Sequence, residues 1–280
     1  MMNTLAAILV GGKGTRLQSV ISDVPKPLAP IHGKPFLFHL IELLQAQGIK
    51  HILLLTSYMH EKIFEACGNG EQWNINITYS RENEPLGTAG ALRHAEKILS
   101  RHENFLLLNG DTYFDASIKN IIDTPLDKNI FGLIGVNIVD DANRFGSVLI
   151  DPDTFQIKSF LEKCHASRAP FAPAGVQIDN QPSCQHAFSW HPVPLKKDTG
   201  CHLSQKTLGW HDKSFVNAGI YKLSSKIISM IPENKFVSLE KEIFPTLIQQ
   251  DYFLKAIFLE KLFHDIGTPE SYFAFMEQTK

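Results

Sequence analysis

Ile8-Leu9-Val10-Gly11-Gly12-Lys13-Gly14-Thr15-Arg16-Leu17, with Pro25-Lys26-Pro27 close behind, is the stretch on which the reading of this chain turns. The apolar run Leu5 to Val10 predicts a buried strand that breaks directly into a glycine-rich loop. Gly11, Gly12 and Gly14 carry no Cβ, so the backbone is free to take positive φ and to approach a ligand closely. Successive N–H groups in such a loop form an anion-binding concavity. Arg16 adds a planar fork suited to phosphate, and Lys26 a movable point charge. A polyphosphate is the expected ligand. Two common phosphate loops are excluded. Lys13 precedes Gly14, which is the wrong order for a Walker A loop. Leu17 stands where a dinucleotide fingerprint needs its third glycine.

The 280 residues suit one large α/β domain, 1–280, or a domain with an appendage. With 20% charged and 44% hydrophobic residues the composition is that of an ordinary globular protein. A net charge of −2 gives no global attraction to nucleic acid or to a membrane surface, so neither is an expected partner. No apolar run reaches the length of a membrane span, and Met1 to Val10 reads as a strand rather than a signal peptide. Cys67, Cys164, Cys184 and Cys201 form no Cys-x-x-Cys pair, which argues against a disulfide framework. The expected location is cytoplasmic. The oligomeric state is not fixed by sequence; a homo-oligomer is compatible.

Strand and helix patterns alternate through the first half. Phe36, Leu40, Leu43 and Leu44 recur at helical spacing up to a stop at Gly48, and Ile52 to Leu55 reads as a strand covered on both faces. A helix near His60 to Ala66, a strand at Ile75 to Tyr79, a helix capped by Thr88 and running to Leu99, and a strand at Phe105 to Leu108 are predicted next. This order implies a doubly wound, mainly parallel sheet. Strands at Phe131 to Val136, Ser147 to Ile150, Ile157 to Leu161, Phe215 to Leu223 and Leu254 to Leu259 follow, with helices at Leu239 to Gln249 and Pro269 to Gln278.

Ligands of open α/β sheets lie beyond the carboxyl ends of the strands. Three charged sites fall at such ends: Asp111 in Leu108-Asn109-Gly110-Asp111, the neighbours Glu162 and Lys163 after Phe160-Leu161, and Asp265 before the helix near Pro269. For each, a solvated turn or a helix cap is the plainer alternative.

The string from Gly11 to Leu17 with Pro25-Lys26-Pro27, Asn109-Gly110-Asp111, Glu162-Lys163, Asn217-Ala218-Gly219 and Asp265-Ile266-Gly267 resembles the signature of the sugar-1-phosphate nucleotidyltransferases, or nucleotide-sugar pyrophosphorylases. The resemblance implies a Rossmann-like mixed sheet of the nucleotide-diphospho-sugar transferase type. It places Leu9, Gly11, Gly12, Gly14, Thr15, Arg16, Lys26 and Asp111 on the nucleotide, and puts Gly87 and Thr88 of Pro85 to Gly90 beside base and ribose. It further places Mg²⁺ between Asp111 and Asp265, Lys163 on the sugar phosphate, and Gly146, Glu162, Asn217 and Gly219 around the sugar. Arg16, Lys26, Asp111, Lys163 and Asp265 thereby become the catalytic set. The implied reaction is attack of a sugar 1-phosphate on the α-phosphorus of a nucleoside triphosphate, with release of pyrophosphate.

Asp23 to Ile31 and His264 to Glu270 look most like the guanylyltransferases of manno-configured sugars, a manno-heptose 1-phosphate foremost, with GTP as donor. Glu82 or Glu84, beside Pro85-Leu86-Gly87-Thr88, is then placed to read guanine; both as solvated turn residues is the alternative. Mannose 1-phosphate with GTP and glucose 1-phosphate with dTTP are the other substrate pairs considered, and a non-catalytic regulatory relative is the other class. Residues 164–213 have no clear period and read as an insertion, a lid or contact arm. Cys184, His186, His191, Cys201 and His211 there admit a zinc reading, but their spacing matches no standard module.

Overall fold

A computed structural model describes residues 4–115, 117–139, 146–161, 214–261 and 263–279. The proposed insertion at 164–213, its zinc candidates, Glu162 and Lys163 lie outside these residues. The elements are β1 (Leu5–Leu9), α1 (Phe36–Ala46), β2 (His51–Thr56), α2 (His60–Cys67), β3 (Asn76–Arg81), α3 (Gly87–His94), α4 (Glu96–Leu99), β4 (Asn104–Asn109), β5 (Thr112–Phe114), α5 (Lys119–Asp123), β6 (Ile130–Val139), β7 (Ser147–Ile150), β8 (Ile157–Leu161), β9 (Ser214–Ser224), α6 (Phe244–Gln249), β10 (Phe253–Phe258), β11 (Phe263–Asp265) and α7 (Pro269–Gln278).

Nine strands form one sheet in the path β8-β7-β9-β4-β1-β2-β3, with β6 paired to β9 and β10 to β6. The half that carries the glycine loop is parallel: β4, β1, β2 and β3 run the same way, with Ala6 opposite both Ile52 and Leu106. Beyond β4 the sheet turns antiparallel through β9. Its all-apolar strands follow from burial on both faces. Leu5, Ala7, Leu53, Leu55, Phe105 and Leu107 face one core; Ala6, Ile8, Ile52, Leu54, Leu106 and Leu108 face the other. That alternation is the strand period of two, with a hydrophobic layer on each side. Among the described residues no helix is long and apolar enough to cross a membrane.

A third, smaller core sets the site. Leu17 at the end of the glycine loop packs with Ala29, Ile31 and Phe36 and with Ile266, Tyr272 and Phe275 of the C-terminal segment. The Tyr272 hydroxyl donates to the Pro30 carbonyl. The first and last parts of the chain are thus clamped together, with β11 paired to β5 beside the sheet end.

Two local expectations are corrected. Thr88 does not cap its helix: α3 starts at Gly87, the N-cap is Leu86, and the helical stretch breaks at Ala95 before α4. The Thr88 hydroxyl is engaged elsewhere, accepting from the Leu239 N–H and donating to Glu240. Leu239 to Gln249 is not one α-helix: Leu239–Ile243 is a π turn that passes into α6. Pro245 has no N–H for the carbonyl four residues back, so the winding changes just before it.

Candidate active site

The glycine loop leaves β1 and lines a cavity of about 430 Å³ with Leu9, Gly11, Gly12, Gly14, Thr15, Arg16 and Lys26. Val10 still donates to Leu55, and Leu17 donates to Gly14. Between them the N–H groups of residues 11–16 have no acceptor among the described residues. An unclaimed run of donors along a concave wall is what an anion needs. Of the three glycines only Gly14 uses positive φ, at 61°, so the expectation for Gly11 and Gly12 is corrected. At Gly14 a Cβ would stand 2.7 Å from the Lys26 Cβ. Its absence lets the Lys26 stem cross the loop.

Lys26 starts a short 3₁₀ turn, Lys26–Leu28, between prolines that fix φ; Pro27 and Leu28 are buried beneath it. Its Nζ donates to Asp111 Oδ2 at 2.5 Å, and the lysine side chain is only 12% exposed. Burial pushes the Asp111 carboxyl up, but the Lys26 charge and its hydrogen bond, with the Thr112 hydroxyl, hold it below the ordinary value. Asp111 is therefore ionised at neutral pH. Asp265 ends β11 opposite Thr112, and Ile266 N–H donates to the Asp111 carbonyl at 2.9 Å. Asp265 Oδ1 accepts from Gly267 N–H and from Ser271 Oγ, both at 2.8 Å, at the capped start of α7. Those bonds orient the carboxylate while supporting the helix, so the structural reading of Asp265 at a helix start holds. A Cβ on Gly267 would stand 3.1 Å from Asp265 Oδ1 and 3.6 Å from Lys26 Nζ, so Gly267 keeps this corner open.

Asp111 in the cavity wall and Asp265 at its edge offer hard oxygen donors. They suit Mg²⁺, which commonly takes one or two carboxylates and completes its octahedron with water and phosphate. Among the described residues no group of three or more His, Cys, Asp or Glu could hold a metal by itself.

The far end of the cavity is lined by Glu82, Pro85, Gly87, Thr88 and Phe236. The Val237 carbonyl accepts from Ala89 N–H at 3.0 Å, and Val237 N–H donates to Leu86 at 2.8 Å. A Cβ on Gly87, at φ 76°, would meet the Val237 carbonyl at 2.4 Å, so only glycine lets the two segments close. Glu82 is 8% exposed. Its Oε2 accepts from Leu86 N–H at 3.3 Å, whereas its Oε1 is buried without a partner. Burial raises its carboxyl above the ordinary value against the Leu86 bond and nearby His94. Glu84 is exposed and outside the lining. Phe236 lines the mouth while 69% exposed.

On the antiparallel side, Gly146 accepts from Asn217 N–H at 3.0 Å. The β9–β6 register slips between Asn217 and Tyr221. Gly219 takes φ 72° there, and a Cβ on it would meet Asn109 Nδ2, a cavity-lining residue, at 2.6 Å. A bulge of this kind re-aims side chains beside a site. Leu9, Gly11, Gly12, Gly14, Thr15, Arg16, Lys26, Glu82, Gly87, Thr88 and Asp111 thus line one cavity. Asp265 is tied to its edge, and Gly146, Asn217 and Gly219 cluster together next to it. Phe236 and Asn109 were not singled out in the sequence; a lone aromatic in the polar run Pro232 to Ser238 was the available signal for Phe236.

The nucleotidyl transferase family model matches residues 5–280. A D-glycero-alpha-D-manno-heptose 1-phosphate guanylyltransferase of Campylobacter jejuni is 34% identical over 97% of this chain and 98% of its own. The enzyme of the same name from Aneurinibacillus thermoaerophilus is 35% identical over 77% of this chain and 93% of its own. The solved structure of HddC from Yersinia pseudotuberculosis complexed with GMP-PN is 33% identical, with a TM-score of 0.72 and coverage of 99% of this chain and 100% of that one. The chain belongs to the nucleotidyl transferase family and is an enzyme of the sugar-1-phosphate nucleotidyltransferase type.

Proposed function

We propose that this enzyme transfers GMP from GTP to a manno-configured sugar 1-phosphate, foremost D-glycero-α-D-manno-heptose 1-phosphate, giving the GDP-sugar and pyrophosphate. The observation that carries the base assignment is Glu82: a buried carboxylate oxygen without a partner, in the wall of the nucleotide cavity. Guanine N1–H and N2–H₂ are adjacent donors that one carboxylate accepts together. Thymine and uracil offer a single N–H between acceptors and would leave the carboxylate facing lone pairs. Sites built on such hydrogen bonds discriminate strongly, because the wrong base leaves buried groups unpaired. The exposed face of Phe236 at the cavity mouth supports the same end as the base subsite. The named activities of the relatives support the sugar.

A phosphate oxygen of the sugar 1-phosphate forms the new bond to the α-phosphorus, and the bond to the pyrophosphate oxygen breaks in line. The nucleophile is ionised near neutral pH, so the step needs no general base. Its difficulty is charge: two anions must meet, and charge grows on the leaving group. The free N–H groups of residues 11–16 and the Arg16 fork receive the triphosphate. Lys26, already fixed beside Asp111, adds an ammonium that needs no reorganisation. Lys163 is assigned to the sugar phosphate. Asp111 and Asp265 would hold Mg²⁺, which supplies Lewis-acid neutralisation of the phosphates when bound.

Pyrophosphate release measured over GTP, ATP, UTP, CTP and dTTP against heptose, mannose and glucose 1-phosphates tests this reading. GTP with the manno-heptose is expected to be best, mannose 1-phosphate weaker, and dTTP with glucose 1-phosphate poor. Preference for dTTP or UTP overturns the guanine assignment and leaves the reaction type standing.

A further inference from the structure

An unbroken hydrogen-bond chain runs from the bulge of β9 to the nucleotide cavity. Asn217 Oδ1 accepts from Gly219 N–H at 3.0 Å, and Asn217 Nδ2 donates to the Tyr221 hydroxyl at 2.8 Å. Tyr221, fully buried, donates in turn to Glu240 Oε1 at 2.9 Å. Glu240 Oε2 accepts from Ser238 Oγ at 3.0 Å and from Thr88 Oγ1 at 3.1 Å. Thr88 lines the nucleotide cavity and itself accepts from Leu239 N–H at 2.8 Å. Glu240 sits on the π turn, a winding often retained where a side chain must be aimed.

The direction of this chain is set at one end. The Tyr221 hydroxyl donates to Glu240 Oε1, so its one proton is committed there. The Tyr221 oxygen then faces Asn217 as an acceptor, and the Asn217 amide must turn its nitrogen there. Gly219 N–H makes the same demand from the opposite side by claiming the amide oxygen. Asn217 is left with one N–H and one oxygen lone pair at a fixed angle, the complement of two neighbouring sugar hydroxyls. In a buried setting each bond of the relay is stronger than in water, and a reversed member is correspondingly costly.

We propose that Glu240 is a positioning residue for the sugar 1-phosphate: acting through Tyr221, it fixes the donor and acceptor sense of Asn217, and its second oxygen ties that setting to Thr88 in the nucleotide wall. The inference rests on the reading that Asn217 meets the sugar. The test is a set of KM and kcat values for sugar 1-phosphate, with GTP affinity by titration and melting curves, for Asn217→Ala, Tyr221→Phe, Glu240→Gln and the doubles of Tyr221→Phe with each of the others. Tyr221→Phe removes one oxygen and keeps the ring. It is expected to raise the sugar 1-phosphate KM about tenfold, as for loss of one buried hydrogen bond, with kcat and GTP affinity within threefold. Glu240→Gln is expected to raise the same KM at least threefold. Each double should be no worse than its more damaged parent, because the effects pass along one chain. Wild-type KM in Tyr221→Phe, effects that add in full, or loss of melting temperature alone would overturn the proposal. A wild-type KM in Asn217→Ala instead removes the reading on which it rests.

Discussion

Replacing Gly14 by alanine isolates what the glycine loop contributes. Two costs are readable in the structure. Gly14 holds φ 61°, where an L side chain costs roughly 1–2 kcal/mol. The new Cβ would also stand 2.7 Å from the Lys26 Cβ, against about 3.4 Å for ordinary contact, so Lys26 must shift by about 0.7 Å. That contact is near the backbone of a proline-flanked turn and is not the free end of a flexible chain. The shift exceeds the tolerance of about 0.5 Å within which a catalytic group works. A misplacement near 1 Å costs about 10²-fold in rate. Gly14→Ala should therefore lower kcat/KM in pyrophosphate release by roughly 10- to 100-fold, and lower Tm by only a few degrees. Gly48→Ala is the control: its φ is 87°, a Cβ there meets nothing within 4 Å, and it ends α1 away from the cavity. It should show a comparable Tm loss with full activity. Gly14→Ala within threefold of wild type, or Gly48→Ala equally inactive, would refute the geometric reasoning.

Asp111→Asn is expected to fold and to lose on the order of 10²–10³ in kcat at saturating Mg²⁺; near wild-type turnover sinks its assignment. Lys26→Ala should weaken GTP binding about tenfold or more by calorimetric titration with triphosphate alone, and equal binding removes Lys26 from the triphosphate side. Phe236→Ala deletes an exposed ring, so Tm should hold while GTP affinity falls about tenfold, in line with roughly 1–3 kcal/mol for a base stacked on an aromatic. Glu82→Gln should narrow the preference for GTP over UTP and raise Tm at pH 7. Burial raises the Glu82 carboxyl, so across the window above the ordinary carboxylate value the folded chain holds a proton that the unfolded chain has lost, and stability falls as pH rises through it. The Tm gap between variant and wild type should therefore shrink in melts taken below that window, and a constant gap counts against the buried charge.

The sequence was legible wherever the physics is local. Four consecutive apolar residues before Asn109-Gly110-Asp111 mark a strand covered on both faces, and β4 is that strand. Pro269 marks a helix start, and α7 begins there with a capping box. Thr88 misled because the same hydroxyl that suits a cap also suits a partner 152 residues away, and no local signal tells the two apart. Glu82 and Glu84 are indistinguishable as letters in a turn. What separates them is that Glu82 N–H joins Thr56 beside the sheet, which takes its side chain inward, while Glu84 lies beyond the last pairing.

The same distinction explains why the site has two kinds of residue. In the proposed reading the phosphate end is written in glycines and charges because its ligand is strongly charged, and backbone donors with few side chains suffice to hold it. The base and sugar ends must tell neutral groups apart, and there discrimination comes from polar atoms held in one sense without solvent. Glu82 Oε1, buried and unpartnered, destabilises the free chain until a matching donor arrives. Tyr221, buried and fully partnered, stabilises it while fixing what Asn217 offers. Both depend on contacts beyond the local turn, the Glu82 N–H on the Thr56 carbonyl in one case and β9 with the π turn in the other. On the proposed assignments selectivity is a property of tertiary packing, whereas reaction type resides in short motifs. A substitution in the packing beneath Glu240 or Glu82 should change which substrates are used before it changes whether phosphoryl transfer occurs.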